Sequence, residues 1–354
     1  MNHFSAAEHA KLADVLQTAE YNLRVLELFS SYLNICPRFI KTDDIKSLTE
    51  ECGIDEQTAC RLLASAACGL NAEESYDDRV LEERYFRHAI HLLDADECRR
   101  DPYYQTIRLP EMKRGKWKMG YKTIEPYELF TSDDLLVLPD GREIPQTGFF
   151  CEAFRAPMVE ENGREWMTVT PSEINTMTAD IRKAHGKTVV FGMGLGYYAF
   201  MASEKEDVSQ VVVVEREKDV ISLFSEFILP QFPHADKVKV IEADAYAYAE
   251  QMGVEHFDCA YVDIWHDVLD GVEMYLRMKR LEKHSPGTEF LYWIEPSMLA
   301  WLRGMALMEI AEGAQGPMLE TIGQVSTTEE LRSVLSDENL KKIADRIPLE
   351  VAKR

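Results

Sequence analysis

The sequence predicts an α/β protein built on a doubly wound parallel sheet, preceded by an N-terminal helical domain and a small β-hairpin segment. In the first third, apolar residues recur at helical spacing; two hairpin turns follow; then five apolar strands alternate with helices. With 354 residues the chain exceeds one compact core. We expect four segments: a helical N-terminal domain at 1–130, a β-hairpin segment at 131–170, the sheet domain at 171–311 and a helical tail at 312–354.

The helical N-terminal domain is predicted from two amphipathic stretches, one that includes Leu12 and Leu16 and one at 80–93. Between them, residues 48–59 read as helix, glycine turn, helix, which resembles a helix-turn-helix unit. The range 43–97 contains fifteen acidic and five basic residues, so a DNA-reading helix there would be repelled by phosphate. We expect a packing or dimerising module, with a homodimer formed through this domain.

A basic island follows at 107–122, with six basic residues and one acidic residue interleaved with Trp117 and Tyr121. One interpretation is a patch for an anionic or aromatic substrate. The other, which we favour, is a solvated loop or an edge strand whose charges discourage pairing. The β-hairpin segment after it is predicted from Asp140-Gly141 and Asn162-Gly163, because these dipeptides suit tight hairpin turns.

The composition limits the class of protein. The formal net charge of −23 argues against broad adhesion to nucleic acid or anionic lipid. No apolar run is long enough to span a membrane, and the N-terminus has no signal-peptide pattern. Seven cysteines without a CxxC pair indicate reduced thiols rather than disulfides or a zinc cluster. We therefore expect a soluble, cytoplasmic protein with no metal site.

The sheet domain is predicted from short, strongly apolar runs that are separated by helical stretches. Such runs are typical of parallel strands buried on both faces. Ligands of such sheets bind beyond the carboxyl ends of the strands. The five predicted strands are 187–191, 211–214, 238–241, 258–263 and 288–294.

The residues that follow these strands carry the functional hypothesis. The first strand ends in a glycine loop with spacing G-x-G-x-G, where main-chain N–H groups can approach a ligand closely. A carboxylate follows each of the next three strands, and a cationic ligand suits these acids better than a pyrophosphate does. The candidate binding residues are Gly192, Gly194, Gly196, Glu215, Asp244, Ala245 and Asp263.

This pattern resembles the Rossmann-like class I S-adenosylmethionine-dependent methyltransferases over residues 171–301. The resemblance implies S-adenosyl-L-methionine as the cofactor, with the glycine loop against its methionine part and ribose. Glu215 would bind the ribose hydroxyls, and Asp244 with Ala245 would face the adenine. Tyr197, where a dinucleotide-binding loop prefers glycine or alanine, argues against a dinucleotide.

The acceptor side is predicted from the segment after the fourth strand. We expect Asp263 and His266 to be the catalytic residues, with His266 as a base whose basicity is raised by a neighbouring carboxylate. Trp265 could stack on a flat substrate. The alternative is that Trp265 packs against the sheet and His266 is a loop histidine. Glu173 is either close to the site or a first-turn helix acid.

The leading function is methyl transfer to an unidentified small-molecule acceptor. We find no final antiparallel strand pair, which usually completes a methyltransferase sheet. One alternative is therefore a non-catalytic protein that binds S-adenosylmethionine and recruits a partner. A nucleic-acid methyltransferase is suggested only by the basic island. A spermidine-synthase-like aminopropyltransferase shares the preceding hairpin, but its glycine loop typically carries an Asp that this sequence lacks.

Overall fold

The N-terminal part of the chain is helical as far as Thr106. The structure, a computed structural model, describes residues 4–353. Ser5 caps the first and longest helix by accepting a hydrogen bond from the Glu8 amide, and Gly53 ends the second helix in the left-handed conformation that suits glycine. The helices are α1 (Ala6–Ile35), α2 (Thr42–Cys52), α3 (Glu56–Ala67), α4 (Tyr76–Leu81), α5 (Arg87–Ala89), α6 (Ala95–Arg99) and α7 (Pro102–Thr106), with strand β1 (Ile90–Leu92) between α5 and α6.

Six strands follow, and they begin earlier than predicted. The helical prediction for 1–130 fails after Thr106, and the β segment extends well beyond the predicted 131–170. The strands form an antiparallel sheet of order β2-β3-β6-β7 and a mixed sheet of order β1-β5-β4. Their bounds are β2 (Met112–Arg114), β3 (Trp117–Ile124), β4 (Phe130–Val137), β5 (Glu143–Phe149), β6 (Phe154–Glu161) and β7 (Arg164–Thr168).

The basic island forms the β2–β3 hairpin, with β2 at the edge of its sheet, in agreement with the edge-strand interpretation. Lys118 lies directly opposite Glu160 of β6, and two further lysines of the island form ion pairs with acids of β6 and β7. Helical periodicity could not reveal these strands, because their charges pair across the sheet rather than along it. The pairs are Lys116–Glu161 at 2.6 Å, Lys118–Glu160 at 2.9 Å and Lys122–Glu165 at 2.8 Å.

Both predicted hairpin turns are confirmed. Asn162 and Gly163, between β6 and β7, have φ of 52° and 82°, the left-handed pair that a two-residue hairpin requires. Gly141, with φ of 88°, lies between β4 and β5. In both hairpins the register shifts at an irregularity along the strands.

The five predicted parallel strands are confirmed, in the order β10-β9-β8-β11-β12. Along β9, Val211 and Val213 pack into one core and Val212 and Val214 into the other, so helices cover both faces. This is a Rossmann-like, doubly wound sheet. The elements are α8 (Pro171–Lys183), β8 (Gly186–Phe191), α9 (Tyr197–Ser203), β9 (Val208–Glu215), α10 (Lys218–Leu223), β10 (Val238–Glu242), α11 (Ala245–Gln251), β11 (Cys259–Val262), α12 (Val268–Lys279) and β12 (Glu289–Tyr292).

The C-terminal tail is helical, as predicted, and the residues described after β12 form no further strand. Leu331 and Leu340 of the tail share a core with Leu12 of α1. The Glu8 carboxylate of α1 also accepts hydrogen bonds from the amide and hydroxyl of Thr328. The two ends of the chain are therefore packed together. The helices are α13 (Glu295–Ala311), α14 (Pro317–Ile322), α15 (Thr328–Val334) and α16 (Asp337–Ile343).

Two further features bear on the expected absence of a membrane span and of disulfides. No helix within residues 4–353 is long and apolar enough to cross a membrane. The seven cysteines, all within this range, form no disulfide. The homodimer through the helical domain stays a prediction.

Asn22 connects α1 to the β4–β5 hairpin. Its side chain is 6% exposed; its amide donates to the Gly141 carbonyl at 2.9 Å. Its Oδ1 accepts from the Tyr85 hydroxyl at 3.0 Å and from the Glu143 amide at 3.1 Å. One buried amide therefore satisfies polar groups of three residues, two in the β4–β5 hairpin and one at Tyr85.

We expect Asn22→Ala to lower the free energy of unfolding by about 1–3 kcal/mol, because it leaves buried partners without hydrogen bonds. Urea unfolding followed by circular dichroism measures this. Asn34→Ala, on the same helix and exposed, is the matched control and should change the stability by less than about 0.5 kcal/mol. Equal effects of the two substitutions would contradict the anchoring role of Asn22.

Candidate functional site

A cleft of about 1080 Å³ lies at the carboxyl ends of the parallel strands. Its wall comes from the strand ends and the segments that follow them, from the β-sheet segment, and from helices α1, α8, α12 and α13. Of the residues predicted to form the site, Gly196 does not line it. The predicted residues that do line it are Gly192, Gly194, Glu215, Asp244, Ala245, Asp263 and His266.

The glycine loop is pressed between β11 and β7. Gly192 has φ of +93°, and a Cβ there would lie 1.8 Å from the Asp263 carbonyl oxygen. A Cβ on Gly194 would lie 2.2 Å from the Met167 sulfur, which already accepts the Leu195 amide at 3.0 Å. Close packing thus accounts for both glycines. Three amides of the loop, those of Gly192, Leu195 and Gly196, already donate hydrogen bonds within the chain.

Gly196 has a different role from the one expected. It precedes α9 with φ of +75°, and a Cβ there would lie 2.4 Å from the ring of Phe224. Its need for glycine therefore comes from the turn into α9 and from contact with α10 and the π-helical turn after it. G-x-G-x-G spacing alone could not separate this packing glycine from the two that line the cleft.

Glu215, at the end of β9, has a side chain that is oriented by the backbone amides of the next two residues. Its Oε1 accepts hydrogen bonds from the amides of Arg216 at 2.7 Å and Glu217 at 2.8 Å. No residue in the described part of the chain donates to Oε2. The carboxylate is thus oriented, with one oxygen left to accept from a ligand.

Asp244 and Ala245 lie where β10 turns into α11. Asp244 caps this helix, since its Oδ1 accepts from the Ala247 amide at 3.0 Å. The aspartate is exposed, and the small side chain of Ala245 leaves the adjoining wall open. The capping role explains why an Asp occurs here without any ligand, and it leaves Oδ2 available.

Asp263 and Glu173 carry unusual acidities. Burial, with a smaller contribution from the charge of Glu215, raises the pKa of Asp263 from 3.8 to about 7. Burial, then the charges of Asp263 and Glu165, raises the pKa of Glu173 well above its ordinary value. Glu173 lies in the first turn of α8 and also lines the cleft. It is therefore both a first-turn helix acid and a residue close to the site.

His266 lies beside Trp166, with ring centroids 4.1 Å apart in an edge-to-face arrangement. The adjacent carboxylates accept hydrogen bonds from backbone amides at the start of α12. Asp267 accepts the Leu269 amide at 2.8 Å, and Asp270 accepts the amides of His266 and Asp267, each at 3.1 Å. The structure therefore gives the expected carboxylate neighbours a capping role rather than a bond to the imidazole.

The aromatic surface of the cleft differs from the prediction. Trp265 is 6% exposed and lies parallel to Tyr292, so it packs against the sheet, in agreement with the alternative interpretation. Trp166 of β7 lines the cleft and is 36% exposed. Trp117 and Trp293 line it too. Four of the five tryptophans of the chain thus contact this cleft, a signal that composition alone could not reveal.

Several cleft residues come from segments that the sequence did not connect with the site. Phe29 and Leu33 of α1 form one part of the wall. Asp133 and Asp134 of β4 form another; burial raises the pKa of Asp134 to about 6, and its carboxylate accepts a hydrogen bond from the Ser297 hydroxyl. Consecutive acids in an apolar strand were the available sequence signal for Asp133 and Asp134.

The strand order places the sheet domain among Rossmann-like α/β domains, whose ligands bind at this edge. No protein-family model and no curated protein matches the chain. Among solved structures, it is similar to the spermidine synthase from Thermotoga maritima, with 12% identity over 39% of this chain and 52% of that one, and a TM-score of 0.29.

Two other similar structures were found. A probable spermidine synthase from Corynebacterium glutamicum has 15% identity over 43% of this chain and 62% of that one, with a TM-score of 0.31. A putative O-methyltransferase from Klebsiella pneumoniae has 17% identity over 40% of this chain and 67% of that one, with a TM-score of 0.27. The chain thus spans about half to two thirds of these proteins, and its own strand order defines the fold.

The acidity of Asp263 predicts a pH-dependent stability. A carboxyl whose folded pKa is raised stabilises the fold below its unfolded pKa, and this stability is lost as the pH rises through the folded value. Between pH 4 and pH 8 we expect the wild type to lose more unfolding free energy than Asp263→Asn, by at most about 4 kcal/mol. Urea titrations at a series of pH values measure this.

Asp236→Asn, an exposed aspartate outside the cleft, is the matched control and should follow the wild-type pH profile. Parallel profiles for the wild type and Asp263→Asn would show that burial of Asp263 does not govern its acidity.

Proposed function

We propose that this chain is an S-adenosylmethionine-dependent methyltransferase that acts on a small-molecule acceptor. One observation carries the proposal: a single cleft gathers the glycine loop and the acids that follow three successive strands, Glu215, Asp244 and Asp263. A nucleotide-like ligand with a cationic centre matches this set of groups.

The charge of the cleft supports a cationic donor. Its lining has ten acidic residues and five lysines and arginines. Lys116 and Lys122 are already paired with acids of β6 and β7. The remaining carboxylates favour a sulfonium and disfavour a pyrophosphate.

The donor-binding roles follow from the geometry of each residue. Glu215 would accept the ribose hydroxyls with Oε2, because its Oε1 is held by two backbone amides. Asp244 would accept the adenine amine beside Ala245, and Gly192 and Gly194 would lie against the methionine part. The bound donor supplies an electrophilic methyl group, and the residues of this chain orient the acceptor towards it.

On the acceptor side, the proposed small molecule is enclosed by Trp166, Trp293 and the α1 residues Phe29 and Leu33. Transfer to an oxygen or nitrogen atom releases a proton, which needs a nearby base. Asp263, with its pKa raised to about 7, and His266 are the groups that we propose for this step. Asp263 would thus serve both the donor site and proton transfer.

Donor binding gives the first test. We expect S-adenosylmethionine and S-adenosylhomocysteine to bind with one site per chain. Glu215→Gln keeps the shape of the side chain but removes the charge, and it should weaken binding roughly tenfold or more, by analogy with the loss of a charged hydrogen-bond partner. Isothermal titration calorimetry measures both affinities.

Glu206→Gln, an exposed glutamate of the same domain, is the matched control and should bind as the wild type does. The donor proposal fails if neither compound binds to the wild type.

Methyl transfer gives the second test. Incubation with donor labelled in the methyl group should yield a labelled product from a pool of metabolites and none from RNA. His266→Asn should lower the transfer rate on the order of 100-fold while donor affinity is retained, because it removes a base rather than a binding group.

Other outcomes would favour the alternatives. Donor binding without a product from any pool would favour a binding-only protein. Labelled RNA would favour a nucleic-acid methyltransferase, and reversal of the charges of Lys113, Arg114, Lys116 and Lys118 should then abolish it. Turnover only with decarboxylated donor would indicate aminopropyl transfer.

A further inference from the structure

A second group of chemically reactive side chains lies at the amino ends of the parallel strands, opposite the cleft. His185, Cys259 and Glu289 each offer one ligand atom, and these atoms lie within 4.8 Å of one another. The cleft is formed at the carboxyl ends of the strands, whereas these three residues lie at the amino ends. This group is therefore separate from the proposed methyltransferase site.

The strand register brings the three residues together. His185 directly precedes β8, Cys259 begins β11 and Glu289 begins β12. Cys259 is in register with Glu289 on one side and with Thr188 of β8 on the other. Because hydrogen-bonded parallel strands are rigid, the backbone positions of the group are set before any ligand binds.

The imidazole of His185 is oriented as a metal ligand requires. Its Nδ1 lies 2.9 Å from the Lys183 carbonyl oxygen. A carbonyl only accepts hydrogen bonds, so Nδ1 carries the proton and the lone pair is on Nε2. A histidine ligand typically donates its second ring N–H to such a carbonyl, which fixes its tautomer and direction.

Cys259 lies in a place where a cation would be favourable. The residue is fully buried, and its thiol lies 4.0 Å from the Lys183 carbonyl oxygen, the same oxygen that His185 Nδ1 contacts. His185 and Glu289 are exposed, so their side chains can adjust and the group is open to solvent. A divalent ion would offset the repulsion between a thiolate and the carboxylate.

We propose that His185 Nε2, Cys259 Sγ and a carboxylate oxygen of Glu289 bind a thiophilic divalent cation such as Zn²⁺. Nitrogen, sulfur and oxygen ligands together suit zinc, and water completes the four-coordinate shell. The exposed side chains close on the ion by on the order of 1 Å to reach zinc–ligand distances. The thiol proton leaves to solvent, and no electron is transferred.

A bound ion would cross-link three segments of the chain at the amino ends of the strands. The ion joins the turn between α8 and β8 to the starts of β11 and β12, which are neighbouring strands. Because the ligands are not assembled in the unfolded chain, the ion stabilises the folded chain by an amount that rises with the logarithm of the ion concentration above its dissociation constant.

The test uses the full chain, stripped with a chelator and titrated with Zn²⁺ or Co²⁺ alone. We expect one ion per chain, a thiolate-to-cobalt absorption band in the near ultraviolet, and a melting temperature that rises with Zn²⁺. Cys259→Ser should abolish the band. His185→Asn and Glu289→Gln should each weaken Zn²⁺ binding by about tenfold or more.

The controls are Cys52→Ser and Glu206→Gln, both exposed positions outside the group, which should bind Zn²⁺ as the wild type does. His185→Asn and Glu289→Gln change surface side chains, so they test the proposal even if Cys259→Ser does not fold. Absence of saturable binding, or wild-type affinity in both surface variants, would overturn it. None of these readouts depends on binding or transfer of a methyl donor.

Discussion

The central position of β8 in the parallel sheet is the constraint on which the rest of the structure depends. This strand is hydrogen-bonded to β9 on one side and to β11 on the other. The chain winds outwards in one direction through β9 and β10, then returns to the other side of β8 through β11 and β12. The winding therefore reverses beside β8, and a crevice forms where its carboxyl end meets that of β11. Gly192 lies at this point, against the Asp263 carbonyl oxygen.

The same constraint concentrates negative charge. Each parallel strand ends at the same edge, so Glu215, Asp244 and Asp263 line one cleft. Partial burial then raises the pKa of Asp263, and the charge of Glu215 raises it further. Helix α1 lines the cleft through Phe29, while its first half packs with the C-terminal tail. The site is thus closed by parts of the chain that are far from the sheet domain in sequence.

Prediction from sequence succeeded where the signal was local. Five buried strands were recognisable from continuous apolar runs, and Asn162-Gly163 from the positive φ values that its turn needs. It recognised β2 as an edge strand but failed at β3, an interior strand, because Lys118 and Lys122 of β3 pair with acids on β6 and β7, which no local pattern shows. It also could not separate Gly196, a packing glycine, from Gly192, nor identify Trp166 rather than Trp265 as the exposed aromatic surface.

By itself, the sequence determined the strands, their alternation with helices and the chemical groups that follow each strand. Burial of apolar runs and the backbone demands of glycine turns are properties of neighbouring residues, so they can be read in order along the chain. Only the tertiary structure decided which distant side chains meet: α1 with the strand-end cleft, Met167 with the glycine loop, and His185 with Cys259 and Glu289. These contacts depend on strand register and on the packing of segments that are distant in sequence. A one-residue shift in register would bring different side chains together.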